Sequence, residues 1–204
     1  MPSAARSRRT TVPARAAGGL VCLLVVACGA DERAAVAPAA AAAAAVDWRS
    51  TTYELTCDGI VPGGFRAQVV DGRARVPADR TRPPSYDHYE VRVVATAAGD
   101  LDGTGGAETV VLLECSPQPS NGILQEVLVH ASTGRLLGSL PSPRTLQGEA
   151  PLPPLHGRIS VRDGVIVAEM SAYAATDSRA GGPSEPLTVR FRLGPAGVVP
   201  VSPS

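Results

Sequence analysis

The segment Tyr89-Glu-Val-Arg-Val-Val-Ala95 alternates apolar and polar side chains through its first five residues. Such alternation places the two kinds of side chain on opposite faces of an extended chain, so the segment predicts a half-buried β-strand. The next apolar segment, Glu108-Thr-Val-Val-Leu-Leu-Glu-Cys115, is continuous in its middle and predicts a buried strand. With no long amphipathic helix in the sequence, these strands predict an all-β fold.

The same pattern continues in both directions along the chain. Asp71-Gly72 and Asp163-Gly164 each separate two short β-type segments, and Asp-Gly favours a hairpin turn because both turn residues need a positive φ. Further segments of this type lie at 48–57, 65–70, 73–76, 123–130, 135–140, 158–161, 165–168, 187–193 and 198–201. We therefore expect a single all-β domain of about nine or ten short antiparallel strands, as a sandwich, a partial barrel or a propeller-like meander.

The composition excludes several classes of function. The 204-residue chain contains no lysine, so all 19 of its basic residues are arginine, and these balance 19 acidic residues. The absence of lysine excludes Schiff-base enzymes, the P-loop lysine and Ser–Lys nucleophile pairs. A balanced charge argues against a nucleic-acid partner, which needs a surplus of cations to displace the counterions of phosphate.

The N-terminal residues have the order of an export signal. Four arginines (Arg6, Arg8, Arg9 and Arg15) precede the apolar run Gly19–Ala27, and no acidic residue occurs before Asp31. The apolar run is shorter than the ~20 residues that a transmembrane helix needs, which favours a signal peptide over a permanent span.

The apolar run ends in Val25-Val-Ala-Cys28-Gly29, which resembles a bacterial lipobox. The resemblance implies that Cys28 receives a diacylglycerol thioether and becomes the mature N-terminus, anchored on the extracytoplasmic face of the cell membrane. Two fatty chains are enough for stable anchoring. The alternative is an ordinary secretory signal cleaved close to Cys28, which would release a soluble secreted protein. Ser7-Arg8-Arg9 resembles a twin-arginine signal, although Thr10-Thr11 departs from it, so the export route stays open.

These features divide the chain into three parts: a lipoprotein signal peptide at 1–27, the lipidated cysteine with a disordered alanine-rich tether at 28–46, and a β-rich extracytoplasmic domain at 47–204. The tether includes seven consecutive alanines, Ala39–Ala45, and offers no apolar face for a core. Removal of the signal peptide takes away four arginines and no acid, so 15 basic and 19 acidic residues remain, a net charge of −4.

Two cysteines, Cys57 and Cys115, lie at the ends of predicted strands in the exported domain. Oxidising conditions outside the cytoplasm favour a disulfide between them. The alternatives are two buried thiols or a cysteine nucleophile.

The loop Asp100-Leu-Asp-Gly-Thr-Gly-Gly-Ala-Glu108 is the candidate metal site. Asp100, Asp102, Thr104 and Glu108 occupy loop positions 1, 3, 5 and 9, from which oxygen atoms can converge on a hard cation such as Ca²⁺. We include Gly106 among the candidate calcium-site residues, because glycine lets the backbone bend so that carbonyl groups also point towards the ion.

This loop resembles the calcium loops of FG-GAP and VCBS repeats, which are likewise followed by an apolar strand. The resemblance implies a calcium ion, but Thr104 replaces the usual acid and would weaken its binding. The chain has one such copy, whereas a propeller needs at least about four blades, so the propeller and its adhesive functions are not implied. The alternative is a tight surface turn with solvated acids.

The remaining polar residues give weaker indications. His88 and Glu90 are expected on one face of a strand, and Asp87 with His130 or His156 and a serine is the place where a dispersed hydrolase triad could form. The chain has no GxSxG, HExxH or GxGxxG motif, so we assign no catalytic residue.

Four aromatic residues have simpler interpretations. Trp48 and Tyr53 are expected in the core or at a sheet edge, and Tyr86 with Tyr89 could line a shallow binding surface.

The lipobox, the tether, the missing lysine and the acidic loop before a cysteine-ending strand together resemble the uncharacterised secreted lipoproteins of high-GC Gram-positive bacteria. That class has no single activity. The sequence predicts a membrane-anchored binding domain for an envelope protein or small ligand, with an anchored hydrolase or a calcium-dependent structural or adhesion module as the alternatives.

Overall fold

The computed structural model describes residues 45–81, 85–120 and 122–201. The predicted signal peptide, Cys28 and all of the tether except residues 45 and 46 lie outside this range. Within the described residues, no helix is both long enough and apolar enough to cross a membrane.

The described residues form eleven strands, slightly more than the expected nine or ten, in three antiparallel sheets. Consecutive strands pair within each sheet: β1 with β2, β3 through β7, and β8 through β11. The strands are β1 Thr52–Leu55, β2 Phe65–Gln68, β3 Arg73–Pro77, β4 His88–Gly99, β5 Glu108–Gln118, β6 Leu124–His130, β7 Leu136–Ser139, β8 Leu155–Arg162, β9 Val165–Ala172, β10 Glu185–Gly194 and β11 Gly197–Pro200. A short 3-10 helix, Pro143–Leu146, follows β7. The all-β prediction is confirmed.

The five-stranded sheet separates two hydrophobic cores. The β1–β2 hairpin covers the first core on one face, and the four-stranded sheet covers the second core on the other face, as in a sandwich. The central strand β5 supplies Val111 and Leu113 to the first core and Val110 and Leu112 to the second. Burial on both faces is the reason that this strand is continuously apolar in the sequence.

Strand β4 changes the face that it buries partway along its length. Val91 and Val93 pack in the first core, whereas Ala95 and Ala97 pack against the second. The register with β5 shifts between Val93 and Ala95, so Val94 is an extra residue in the ladder. One inserted residue turns every later side chain to the opposite face of a strand, which lets β4 serve both cores.

The Asp71-Gly72 turn forms as predicted, but the hairpin around it does not. Both turn residues have positive φ, 51° and 82°, yet only Val70 and Arg73 are bridged across the turn. The turn also binds a segment outside the hairpin, since Gly72 N donates a hydrogen bond to Arg49 O at 2.7 Å. Strands β2 and β3 therefore belong to different sheets. The Asp163-Gly164 turn, in contrast, joins the paired strands β8 and β9.

The predicted disulfide between Cys57 and Cys115 is present in the structure. Both residues are buried in the first core. The bond fastens the turn after β1 to the central strand β5 and closes a loop with a sequence separation of 58.

The last residue of β4, Gly99, allows the two larger sheets to approach each other closely. A Cβ atom at this position would lie 2.6 Å from Val161 Cγ1 of β8, too near for any real side chain. This close approach places the loop after β4 beside the β8–β9 turn, where a Cβ on Gly164 would lie 3.6 Å from the backbone oxygen of Asp100.

Candidate functional site

The acidic loop between β4 and β5 brings three of the predicted metal ligands together. One carboxylate oxygen from each of Asp100, Asp102 and Glu108 lies within 4.8 Å of the other two. Asp100 and Asp102 are exposed, whereas Glu108, the first residue of β5, is only 5% exposed. Three carboxylates at this separation repel one another, so the arrangement favours a cation.

Local hydrogen bonds fix the direction of two of these carboxylates. Asp100 accepts from Gly103 N at 2.7 Å and from Gly105 N at 3.0 Å, and both glycines have positive φ, 74° and 83°. Glu108 accepts from Leu101 N at 2.7 Å. Each of these oxygens accepts a single hydrogen bond, and a carboxylate oxygen has a second lone pair that can contact a cation.

Thr104 and Gly106 complete the loop. The pKa of Asp102 is lowered mainly by hydrogen bonds from the side chain and the backbone of Thr104. Because these hydrogen bonds stabilise the ionised form, the carboxylate stays charged. A Cβ on Gly106 would lie 3.7 Å from Thr104 Oγ1 and 4.0 Å from Glu108 Oε1. Because glycine has no side chain, the space between these two oxygens stays open, and the oxygen donors of the loop fit a hard cation.

The histidines are not arranged as a catalytic set. His130 is buried against Trp48 and Tyr53, its Nδ1 lies 3.2 Å from Gly134 O, and burial lowers its pKa. His156 is buried at the start of β8, and burial lowers its pKa to about 4. Neither imidazole contacts a carboxylate within the part of the chain that the structure describes.

Asp87, the acid of the dispersed triad, is engaged elsewhere. Its carboxylate pairs with Arg80 at 2.7 Å. Ser160 on β8 is half-buried and its buried hydroxyl has no partner, but it lies on the opposite face of the strand from its neighbour Ile159, which enters the second core. The described structure therefore does not bring Asp87 together with His130 or His156, as a dispersed hydrolase triad would require.

His88 and Glu90 do share a face of β4, as the sequence predicted, and lie 3.5 Å apart. Arg75 Nη2 lies 3.3 Å from His88 Nδ1. Arginine is only a donor, so Nδ1 is the acceptor and the imidazole proton on Nε2 faces Glu90. This chain of contacts orders the surface of the sheet.

The aromatic surface expected at Tyr86 and Tyr89 is not formed. Tyr89 is 8% exposed and its ring stacks on Phe65 with 4.8 Å between centroids. The alternation of β4 explains the difference, because it turns Tyr89 into the first core. Trp48 and Tyr53 take part in packing, as expected, and the Tyr53 hydroxyl donates to the Trp48 backbone oxygen.

Sequence reasoning missed two recesses. The first, which we call the arginine recess, has a volume of about 540 Å³ and lies on β3–β5, on the face opposite the first core. In this recess Arg73 stands directly opposite Arg92, which is bound by Glu114. Like charges opposite each other are unfavourable unless neutralised, and Arg73 has no acidic partner among the described residues.

The second, the proline recess, has a volume of about 360 Å³. Ile123 lines both recesses and is 50% exposed. The other residues that form the walls of the proline recess come from five parts of the chain: Asp58; Gly122, Leu124 and Gln125; Pro143 and Arg144; Leu152 to Leu155; and Tyr173, Arg179, Gly182 and Pro183. The proline cluster Pro151-Leu-Pro-Pro154 could have indicated one rigid wall of this recess. The sequence did not indicate the recess itself, because the segments that form the other walls are remote from this cluster in the chain.

Comparisons of this chain with family models, with curated proteins and with solved structures find no match.

Proposed function

We propose that this protein is a lipid-anchored extracytoplasmic lipoprotein whose β domain is a binding module for an envelope protein or small ligand. The anchor rests on the sequence from Arg6 to Gly29, with Cys28 as the acylated residue. The binding role rests on one structural observation, the half-exposed Ile123 between two open recesses. Ligand sites are concave and mostly apolar with a few polar groups, which is the character of the two recesses beside Ile123.

The anchor is tested by mass spectrometry of the mature N-terminus and by cell fractionation. We expect a diacylglycerol thioether on Cys28 and recovery in the membrane fraction. Cys28→Ser should move the protein out of that fraction, whereas Cys22→Ser, within the signal peptide, should not. An unmodified Cys28 at the mature N-terminus, or a full-length chain in the cytosol, would disprove the anchor.

The binding role is tested by photo-cross-linking in cells. A photoreactive amino acid in place of Ile123 should give a discrete adduct. The same amino acid at Val199, which is 49% exposed and lines neither recess, is the matched control and should give none. The same adducts from both positions, or no adduct from Ile123, would contradict a binding surface there.

A second candidate role, a calcium-dependent structural module, is favoured by the convergence of Asp100, Asp102 and Glu108 within 4.8 Å. These three carboxylates and Thr104 would hold the ion, with Gly106 leaving room for it and supplying its carbonyl. A bound Ca²⁺ would neutralise the repulsion between the carboxylates and fasten the loop between β4 and β5.

The direction in which Asp102→Asn changes thermal stability, without and with Ca²⁺, tests the calcium role. Without Ca²⁺, Asp102→Asn removes repulsion and should leave thermal stability equal or higher. With millimolar Ca²⁺, the wild type should gain several degrees in Tm and the variant should gain much less. Asp71→Asn, at another exposed turn, is the control and should respond like the wild type. A Tm of the wild type that is independent of Ca²⁺ would exclude the role.

A further inference from the structure

The proline recess contains one uncompensated positive charge. Its ionisable lining side chains are Asp58, Arg144 and Arg179, apart from the phenol of Tyr173. Arg144 Nε donates to Asp58 Oδ2 at 2.8 Å, and the Asp58 side chain is 6% exposed, so these two charges neutralise each other. Arg179 has no acidic partner anywhere in the described ranges. The recess therefore favours a ligand with a single negative charge.

A second side chain with a hydrogen-bond donor, Tyr173, lines the same recess. Tyr173 is 8% exposed, yet its hydroxyl makes no hydrogen bond with any described residue and is not among the fully buried unpartnered atoms. The residue is therefore mostly packed while its hydroxyl keeps some contact with solvent, and Tyr173 lines the recess. A tyrosine whose ring is buried and whose hydroxyl is accessible can form a hydrogen bond with a ligand.

The loop that carries Arg179 is held in place before any ligand arrives. Asp177 Oδ2 accepts from Ala174 N at 2.8 Å, and from Ser184 N at 3.0 Å and Ser184 Oγ at 2.8 Å. These hydrogen bonds lower the pKa of Asp177, so the clamp persists at neutral pH. Arg179 Nη1 lies 4.0 Å from the position that a Cβ on Gly122 would occupy, so the guanidinium reaches across to the opposite wall.

The walls of the recess are apolar and rigid. Four prolines contribute to them: Pro143, Pro153, Pro154 and Pro183. Leu152, Leu155 and Ile123 add aliphatic surface. Proline has a fixed φ, so these walls lose little conformational entropy when a ligand binds.

We propose that the proline recess binds a small apolar molecule carrying one carboxylate. Arg179 receives the carboxylate through its planar guanidinium, which matches the two carboxylate oxygens. Tyr173 donates a further hydrogen bond, and the proline and leucine walls enclose the apolar body. A dianion such as phosphate is disfavoured, because the recess has one free arginine, which compensates only one of the two charges. This inference rests on the proposed binding role and names its ligand class.

Titration calorimetry with the full chain in zwitterionic lipid nanodiscs tests this proposal, with empty nanodiscs as the blank. The probes are 3-phenylpropionate and 3-phenylpropionamide, which have the same apolar body and differ in charge. We expect the carboxylate to bind at least about tenfold more tightly than the amide, because a charge-assisted hydrogen bond is about twice as strong as a neutral one.

Variants separate the charge effect from the shape of the recess. Arg179→Gln should weaken carboxylate binding at least about tenfold and leave amide binding unchanged. Tyr173→Phe should weaken carboxylate binding by a few-fold. Arg190→Gln, an exposed arginine of β10 that does not line the recess, is the control and should bind like the wild type.

Three results would overturn the proposal: equal affinity for the two probes, an Arg179→Gln variant that binds the carboxylate like the wild type, or no binding of 3-phenylpropionate at millimolar concentration. If one of these occurs while Ile123 still cross-links in cells, the ligand class is wrong and the binding role stands. If the Ile123 adduct is also absent, both fail.

Discussion

The side-chain amide of Gln125 pairs with the backbone of His156 as a neighbouring strand would. His156 N donates to Gln125 Oε1 at 2.6 Å, and Gln125 Nε2 donates to His156 O at 3.2 Å. Gln125 lies on β6 of the five-stranded sheet, and His156 lies on β8 of the four-stranded sheet. The buried side chain of Gln125 therefore makes two hydrogen bonds with the backbone of β8, and these join the two sheets at this point.

Gln125→Leu should lower the free energy of unfolding by about 2–4 kcal/mol, because it leaves two buried backbone groups of His156 without partners. The measurement is urea unfolding followed by the fluorescence of Trp48, the single tryptophan of the chain. Gln147→Leu, which removes a half-buried loop hydrogen bond to Ala150 O, is the control and should cost less than about 1 kcal/mol. Equal losses in the two variants would contradict this role of Gln125.

Glu126 should stabilise the turn that carries Cys57. Its Oε1 accepts from Thr56 N at 2.9 Å and from Asp58 N at 2.6 Å, around two residues with positive φ, Cys57 at 50° and Asp58 at 52°. Non-glycine residues adopt this conformation at a cost of about 1–2 kcal/mol each, so the charged acceptor offsets strain.

We expect Glu126→Leu to lower the free energy of unfolding by about 2–3 kcal/mol and Glu126→Gln by about half as much. Glu54→Leu on β1, where the exposed glutamate makes no hydrogen bond in the described structure, should stay within about 0.5 kcal/mol of the wild type. If Glu126→Leu proves as stable as Glu54→Leu, the turn does not depend on this carboxylate.

Removal of the disulfide should lower the free energy of unfolding by about 4 kcal/mol. A cross-link that closes a loop of about 58 residues reduces the conformational entropy of the unfolded chain, and this reduction corresponds to about that free energy. The measurement compares the Cys57→Ala/Cys115→Ala double variant with the wild type in denaturant. Wild-type protein unfolded with a reducing agent present should approach the double variant. A difference of less than about 1 kcal/mol between oxidised and reduced protein would contradict the prediction.

His156 should make the fold sensitive to mild acid. Burial lowers its pKa from 6.5 to about 4, so below pH 6.5 the unfolded chain binds a proton that the folded chain excludes. This contribution to stability is complete above pH 6.5 and is lost as the pH falls through 4, by about 3 kcal/mol.

His156→Gln should reduce the stability difference between pH 7 and pH 4 by about that 3 kcal/mol. The Cε1 proton resonance of His156 should also stay unchanged down to about pH 5. A titration of this resonance near pH 6.5, or a variant with the same acid profile as the wild type, would show that His156 is accessible to protons in the folded state.

The local rules of the chain were enough to predict the strands, the turns and part of the candidate site. Alternation, apolar runs and Asp-Gly turns mark the β-strands because side-chain direction and φ are set by neighbouring residues. The spacing of Asp100, Asp102 and Glu108 predicted their convergence because all three lie in one short loop. The pairing of Cys57 with Cys115 followed from the small number of cysteines and the expected compartment.

Tertiary structure alone decided which faces are buried and which residues meet across the sheets. The sequence around Val94 does not show that the ladder shifts there, since the odd-numbered positions of β4 are the less exposed ones both before and after Val94. The Asp71-Gly72 turn does not join paired strands, because the strand before it (β2) pairs with β1 and the strand after it (β3) pairs with β4. The approach of Arg179 to Gly122 likewise depends on the packing of two sheets. Such contacts depend on sums of many weak non-local interactions, which leave no periodic trace in the chain.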